Sequence, residues 1–340
     1  MQEETEETIL FDAVRGYRIT SQSARLARIT HGTLEFQGVF KGNNQGFPDK
    51  DDFIPERQDE DTVRIGVFGD SFTSAQFIET NWPDRVEELF ESRGKKVELL
   101  NFSVDGAGLA NWWSILLRHV KTEGYQLDAV LFAVFEEPKF GDLYRGFTAS
   151  DHRDSVARSF RFKDWNPDTW PKTYEEAKPH FNELPIHILT HEQFDGVLEG
   201  TWHPELPRPW KFYGTRQLLT ALGESKTPSQ PNKGRFEFGD GAQKLTREIA
   251  AHCDDNDLRT IVVRVPMRES VIEQTPIMAD IEKFSTMLNA EFVDGGSAFL
   301  GLDSEMIKEH FFPYDGHWNQ KGSDLFAQFM SDEIARIYPD

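Results

Sequence analysis

The chain of 340 residues contains one cysteine, Cys253, so an intrachain disulfide is excluded. Many exported bacterial proteins also lack disulfides, and cysteine usage therefore leaves the compartment open. No apolar run approaches the roughly 18 residues that a membrane-spanning helix needs, and residues 1–7 lack the basic and then apolar layout of a signal peptide. We expect a cytoplasmic protein, unless an export signal or anchor has been removed from the N-terminus.

Positively charged residues are fewer than negatively charged ones: 37 Lys and Arg stand against 58 Asp and Glu, which gives a formal net charge of −21. A field of this sign repels phosphate backbones and anionic lipid, which argues against a nucleic-acid or membrane-surface partner. Solubility alone is the simpler explanation of the acidity. With 38% hydrophobic and 28% charged residues, the chain is typical of a globular protein with a large core.

Cofactor motifs are scarce as well. There is no internal repeat, and no phosphate-binding glycine loop ends in Gly-Lys-Ser or Gly-Lys-Thr. His187 and His191 are four residues apart and would share one face of a helix, as metal ligands do. Glu192 is misplaced for the metalloprotease pattern and no third ligand is obvious, so surface or interface histidines are the favoured interpretation. We predict no cofactor and no metal.

Apolar strands alternate with amphipathic helices in two parts of the chain. Strands are predicted at 63–68, 97–102, 129–135, 260–265 and 291–293, with apolar residues at helical spacing between and after them. This alternation predicts a parallel sheet covered by helices on both faces.

Two regions lie outside this rhythm. Residues 1–61 have weak periodicity and are expected to form an N-terminal extension packed on the core, with a turn at 43–48. Residues 139–235 are rich in aromatic residues, and because a structureless loop of that length is improbable, we predict an inserted cap subdomain. Its tryptophans could stack on sugar rings but are more often the subdomain's own core; they are Trp165, Trp170, Trp202 and Trp210.

A serine follows the first predicted strand, in the turn Gly69-Asp70-Ser71. In open parallel sheets, binding sites lie outside the carboxyl ends of the strands. A serine there can act as a nucleophile if a histidine base reaches it and a third group orients that histidine. The tripeptide alone is a weak signal, because turns commonly use these three residue types.

Asp315 and His317 could supply the base and its orienting group. They are separated by one residue, so in an extended segment their side chains leave the same face. The carboxylate could accept from Nδ1–H and leave Nε2 free to take the serine proton. Alternatively, Asn319 caps the final helix and His317 merely lies on its approach. The delivery of all three groups to one sheet edge favours the first interpretation.

Three blocks of the sequence resemble those of the SGNH (GDSL-type) hydrolases, in particular the bacterial esterase and acyl-hydrolase subset. They are Gly69-Asp70-Ser71-Phe72-Thr73, Asn101-Phe102-Ser103-Val104-Asp105-Gly106 and Asp315-Gly316-His317-Trp318-Asn319. Asn43-Asn44-Gln45-Gly46-Phe47 also resembles an upstream turn of that subset, with Pro48 where arginine is common. The resemblance covers 62–138 and 236–340, and residues 139–235 are an insertion outside it.

The resemblance implies an α/β fold, a flavodoxin-like three-layer αβα sandwich with a parallel sheet, to which the aromatic-rich cap is added. It implies Ser71 as the nucleophile, His317 as the base and Asp315 as the acid. The backbone N–H groups of Ser71 and Gly106 would form the oxyanion hole.

One block departs from the family's pattern. After the third strand the family usually has Gly-Asn-Asp, whose asparagine completes the oxyanion hole, but here Glu136-Glu137-Pro138 follows. Glu137 is the expected occupant of the asparagine position. An ionised glutamate would repel the developing oxyanion, whereas one kept protonated by an apolar site could donate to it.

These residues together predict a serine hydrolase that cleaves an acyl ester of a carbohydrate or of a small lipid-like molecule. Transfer of the acyl group to a glycan hydroxyl would use the same intermediate. The alternative is a non-catalytic glycan-binding or assembly module on the same fold, for which Glu136-Glu137-Pro138 is the main support. The intact Ser71, Asp315 and His317 favour the enzyme.

Overall fold

The structure, a computed structural model, describes residues 9–20, 24–30, 33–136, 145–149, 156–161, 167–177, 179, 182–187, 191–202 and 238–339. In chain order its strands are β1 Ile9–Asp12, β2 Gly16–Ile19, β3 Ala24–Thr30, β4 Thr33–Phe40, β5 Val63–Phe68, β6 Val97–Asn101, β7 Ala129–Phe135, β8 Arg145–Ala149, β9 Val156–Arg161, β10 Asn182–His187, β11 Arg259–Val265 and β12 Glu291–Asp294.

The helices of the described residues are α1 Ser71–Ser74, α2 Trp82–Ser92, α3 Leu109–Ile115, α4 Lys121–Glu123, α5 Tyr174–Ala177, α6 His191–Glu199, α7 Asp240–Asp255, α8 Arg268–Glu273, α9 Ala279–Met287, α10 Ser304–Lys308 and α11 Gln320–Ile337. A π-helical turn, Leu116–Val120, joins α3 to α4, and 3₁₀ turns occur at Pro167–Thr169 and Gly295–Phe299. In this part of the chain no helix has the length and apolar character to cross a membrane.

Five parallel strands form the central sheet, in the order β6-β5-β7-β11-β12. Counted by their appearance along the chain, the order is 2-1-3-4-5, which is that of flavodoxin-like doubly wound folds. The predicted fold class is therefore confirmed. The strand order reverses between β5 and β7, and this is the point where such folds place their sites.

Successive residues of the central strands face opposite helical layers. In β7, Val130 and Phe132 pack with α3, α7 and α9, whereas Leu131 and Ala133 pack with α2 and α11. The residues of β7 from Ala129 to Val134 have no exposed surface. Burial on both faces explains why the central strands are continuous apolar runs instead of alternating ones.

The ends of the predicted elements agree closely with the structure. The helix predicted after Ser71 is α2, which the side chain of Asn81 caps by accepting from the N–H of Asp84 at 2.9 Å, with Pro83 in the first turn. Gly94 follows it with φ of +72°. The predicted strand 97–102 ends at Asn101, and the predicted strand 260–265 begins at Arg259.

Outside the central sheet, β1–β2 and β3–β4 form two antiparallel hairpins, and β8, β9 and β10 form an antiparallel sheet. The hairpins occupy the predicted N-terminal extension, for which the sequence predicted no strands, and the second sheet lies within the predicted insertion. Trp170 is buried and packs edge-to-face on Trp113 at 5.9 Å. Trp165 and Trp210 lie outside the described residues. The boundaries of the extension and of the cap stay predictions.

Candidate active site

Ser71 begins α1 at the carboxyl end of β5, beside the point where the strand order reverses. Asp70 caps this short helix by accepting from the N–H of Phe72 at 3.0 Å. A Cβ atom at Gly69 would lie 2.3 Å from Oγ1 of Thr73, so the tight passage from β5 into α1 requires glycine. The turn thus holds the Ser71 hydroxyl at the edge of the sheet.

His317 faces Ser71 across this edge. Its Nε2 lies 2.6 Å from Oγ of Ser71, and its Nδ1 is hydrogen-bonded to Oδ1 of Asp315. Because an ionised carboxylate only accepts hydrogen bonds, the proton of the neutral imidazole belongs on Nδ1. Nε2 is then the acceptor for the hydroxyl proton of Ser71, which is the arrangement of a nucleophile with its general base.

The loop that carries His317 is held at several points. Phe312 N–H donates to the carbonyl of His317 at 2.8 Å, and Gly316 makes the turn with φ of +85°. Trp318 is buried among the residues that pack on α11. Asn319 does cap α11, accepting from the N–H of Gly322 at 3.2 Å, so the cap and the contact with Ser71 occur together.

The surroundings of the imidazole alter its proton affinity. Burial between the rings of Phe72 and Phe77 opposes its charged form, but the hydrogen bond and charge of Asp315 outweigh burial and raise the pKa of His317. For Asp315, burial acts in the opposite sense to the hydrogen bond from His317 and the charges of His317 and Arg28, which together lower its pKa. The pair therefore favours an ionised carboxylate beside a readily protonated imidazole.

Gly106 lies in a loop tied to the turn of Ser71. Its φ of +65° is in the region that favours glycine. Val104 N–H donates to the carbonyl of Gly69 at 3.3 Å, and the hydroxyl of Ser74 is bonded to the carboxylate of Asp105. Within the described residues, no hydrogen bond engages the N–H of Ser71 or of Gly106.

Of the two glutamates after β7, the structure describes Glu136 but not Glu137. Glu136 is buried, and its Oε2 accepts from Nη2 of Arg264 at 2.8 Å and from the hydroxyl of Ser270 at 2.5 Å. Its charge is thereby paired in a structural contact between β7 and β11. Glu137 lies outside the described residues, and its place in the oxyanion hole stays a prediction.

His187 and His191 do not share a helix face, so the alternative of a metal pair on one helix, which the sequence did not favour, has no support in the structure. His187 ends β10 and His191 begins α6, so the two residues belong to different elements. The described residues contain no group of three or more His, Cys, Asp or Glu side chains arranged to hold a metal.

Two residues that contact Asp315 were missed in the sequence. Nη1 of Arg28 is paired with Oδ2 of Asp315, and Oε1 of Glu35 accepts from the backbone N–H of Tyr314 at 2.6 Å and of Asp315 at 2.7 Å. Both residues come from the β3–β4 hairpin. No local pattern marked them, because their partners lie about 280 residues further along the chain.

No protein-family model matches the chain, and no curated protein matches it in sequence. Similar solved structures include the psychrotrophic esterase EstA from a Pseudoalteromonas species, with 12% identity, a TM-score of 0.40, and 82% of this chain and 99% of that chain covered. The lipase/acylhydrolase from Enterococcus faecalis has 13% identity and a TM-score of 0.40, with 81% of this chain and 97% of that chain covered. A protein from Desulfitobacterium hafniense, described as lipolytic and of the G-D-S-L family, has 12% identity and a TM-score of 0.35, with 80% of this chain and 99% of that chain covered. Since these identities and TM-scores are low, the function proposed below rests on the residues of this chain.

Proposed function

We propose that the protein is a serine esterase of the SGNH (GDSL) type, with Ser71 as nucleophile, His317 as general base and acid, and Asp315 as the group that orients His317. One observation carries the proposal: the hydroxyl of Ser71, the imidazole and the carboxylate form a continuous hydrogen-bonded series at the carboxyl edge of the sheet. The order of groups is that of a nucleophile activated by an oriented base.

The reaction would proceed in two balanced halves. Oγ of Ser71 attacks the ester carbonyl carbon while Nε2 of His317 takes the hydroxyl proton, and the carbonyl oxygen becomes an oxyanion held by the N–H groups of Ser71 and Gly106. Collapse of this intermediate breaks the bond to the alcohol oxygen, which receives the proton from His317. Water then repeats the sequence on the acyl-enzyme, releases the carboxylic acid and restores the hydroxyl of Ser71.

For the substrate, we propose an acyl ester of a carbohydrate or of a small lipid-like molecule, with residues 139–235 forming a wall of the pocket. The support is compositional: the inserted region is rich in aromatic residues, which stack on sugar rings and contact acyl chains. If a glycan hydroxyl replaces water in the second half, the same site performs O-acyl transfer. The two outcomes differ in product, because transfer yields an acylated glycan that mass spectrometry detects.

A non-catalytic glycan-binding or assembly module remains the competing proposal. Its main support, the glutamate pair after β7, is weakened because Glu136 has a structural partner in Arg264. A module without catalytic duty also has no need for a base bonded to both a serine and a carboxylate. We therefore favour the enzyme.

Labelling with a fluorophosphonate, mapped by mass spectrometry, tests the proposal. The reagent should form one adduct, on Ser71, and His317→Ala should abolish it. His310→Ala is the matched control, because His310 lies two residues after α10 and contacts the carbonyl of Met306 instead of Ser71. If a known serine esterase is labelled under the same conditions and this protein is not, the catalytic proposal fails.

A further inference from the structure

The β3–β4 hairpin contains a bulge that directs an extra side chain toward the active-site loop. Arg28 is paired with Phe36 and Ile29 with Leu34, so Glu35 has no partner of its own across the hairpin. A bulge of this kind brings two neighbouring residues onto one side of a strand and is a common way to re-aim a side chain near a site. Here the re-aimed side chain is that of Glu35.

Glu35 is bonded at both carboxylate oxygens. Oε1 accepts from the N–H groups of Tyr314 and Asp315, and Oε2 accepts from the hydroxyl of Thr30 at 2.9 Å. The side chain is only 1% exposed. A buried carboxylate with charge-assisted bonds to two successive backbone N–H groups fixes the position of the segment that carries Asp315.

Arg28 contacts the carboxylates of both Asp315 and Glu35. Its Nη1 is paired with Oδ2 of Asp315, and its Nε lies 3.5 Å from Oε2 of Glu35. Oδ1 of Asp315 is bonded to Nδ1 of His317. The two oxygens of Asp315 therefore have separate partners, and rotation of the carboxylate would break both contacts.

Aromatic packing joins the hairpin to the base as well. The ring of Phe36 lies 5.4 Å from that of Phe77 and 5.0 Å from that of Phe312, and Phe77 lies 4.8 Å from the ring of His317. Phe312 is also the residue whose N–H donates to the carbonyl of His317. The hairpin thus contacts the loop through polar groups and through rings.

We propose that Arg28 and Glu35 are positioning residues of this site: they hold Asp315 in the orientation that His317 requires, and Arg28 also limits how strongly Asp315 attracts a proton to His317. The inference rests on the proposed function of Ser71, His317 and Asp315. Neither residue is assigned a contact with substrate.

The sign of the charge effect follows from the groups that face His317. The negative charges of Asp315, Asp70 and Asp105 stabilise the imidazolium of His317. The guanidinium of Arg28 offsets the charge of the Asp315 carboxylate. Glu35 is also close, because it accepts from the backbone N–H of Asp315. Arg28→Gln removes the positive charge and keeps a donor for Oδ2. We therefore expect the pKa of His317 to rise by roughly half a pH unit, a small shift because Arg28 is half exposed and solvent screens it.

The first experiment is an NMR titration of the imidazole of His317, assigned by the loss of its signal in His317→Gln. Arg28→Gln should move the titration midpoint upward, and Arg28→Lys should return it toward wild type. Arg25→Gln is the matched control, since Arg25 is on the same strand and pairs with Asp195 away from the site. If Arg28→Gln and Arg25→Gln titrate alike, the charge role of Arg28 is wrong. This readout needs no turnover, so it holds even if the protein proves not to be an esterase.

The second experiment measures steady-state hydrolysis of a short p-nitrophenyl ester. Glu35→Ala leaves two loop N–H groups without their acceptor and should lower kcat about tenfold with KM unchanged, because a small misplacement of a catalytic group costs rate more than binding. Glu35→Gln keeps an accepting oxygen and should recover most of the lost kcat. If Glu35→Ala does not fold, Glu35→Gln alone tests the role, and its kcat should be close to that of wild type. An unchanged kcat in Glu35→Ala, or no recovery in Glu35→Gln, would overturn the positioning role, whereas inactive wild type would overturn the proposed function.

Discussion

The site joins two kinds of structure. Ser71 lies where the buried strand β5 passes into α1, and His317 lies in the loop between α10 and α11, at the edge of a core whose central residues have no exposed surface. The β3–β4 hairpin is a two-stranded ribbon with Ile29, Leu34 and Val39 exposed on its surface. In the proposed reaction, the sheet edge and the loop before α11 supply the reacting groups, and the hairpin supplies partners that orient Asp315 and offset its charge. Removing a reacting side chain should therefore lower kcat far more than removing a side chain of the hairpin.

The largest effect is expected on the sheet side, at the base. His317→Ala removes the acceptor of the serine proton and should lower kcat for a p-nitrophenyl ester by about 10⁵- to 10⁶-fold. For comparison, the expected loss of kcat for Glu35→Ala on the hairpin is about tenfold. A stopped assay with burst-phase analysis checks the value, and comparable losses in the two variants would erase the distinction between the two kinds of structure.

The next effect concerns stability at the carboxyl end of β7. Glu136→Ala leaves the buried guanidinium of Arg264 without one of its two carboxylates and should lower the free energy of unfolding by about 3 kcal/mol. Urea denaturation measures this. Glu291→Ala is the control, since the pair of Glu291 with Arg336 is exposed and screened by solvent and should contribute little to stability. Equal losses in the two variants would contradict the structural role of Glu136.

A smaller effect tests the first hairpin. Tyr17 on β2 is buried, and its hydroxyl accepts from the N–H of Asp105 at 2.9 Å, beside Gly106. Tyr17→Phe leaves that N–H without this acceptor, so we expect a loss of about 1–2 kcal/mol in unfolding free energy and a modest fall in kcat.

Tyr125→Phe is the comparison for Tyr17→Phe, because the buried hydroxyl of Tyr125 has no hydrogen-bond partner among the described residues. Its removal should be close to neutral in thermal or urea unfolding. If Tyr125→Phe is the more damaging of the two substitutions, the contact between β2 and the Gly106 loop contributes nothing.

The smallest effect is on pH dependence. The pKa of His317 is raised above its ordinary value of 6.5, and only the neutral imidazole can act as a base. The acidic limb of the kcat/KM profile should therefore have its midpoint above 6.5, with activity lost as the pH falls through it. The stability that the raised pKa of His317 contributes has the opposite pH dependence: it is present below the unfolded-state pKa of His317 and is lost as pH rises through the folded-state pKa. An acidic limb below that of Asp315→Asn would contradict the raised pKa.

The two kinds of structure also differ in how well the sequence predicts them. Strands buried on both faces are continuous apolar runs, so β5 and β7 are predicted to the residue, and the turn after β5 places Ser71 at the sheet edge. The one-residue spacing of Asp315 and His317 predicts their common face. Parallel topology then brings the pieces together by rules that do not depend on side-chain detail.

The hairpin could not be predicted in the same way. A regular strand would put Leu34 and Phe36 on one face, but the bulge at Glu35 changes the phase between them, and Leu34 is exposed. The partners of Arg28 and Glu35 are set by tertiary packing, which local periodicity does not contain. The same limit applies to His187 and His191, whose four-residue spacing does not reveal that a strand ends at the first and a helix begins at the second.

The contacts that assemble the site join distant parts of the chain. Ser71 and His317 are 246 residues apart, and Arg28 and Asp315 are 287 apart. Such long-range contacts form late, because the entropy of closing the intervening loops must be lost first. A nascent chain would therefore display its serine hydroxyl long before the imidazole has been synthesised, and the hydroxyl would stay inert until α11 docks. In a refolding reaction, reactivity at Ser71 should appear with the slowest phase, well after the hairpins and the first strands have formed.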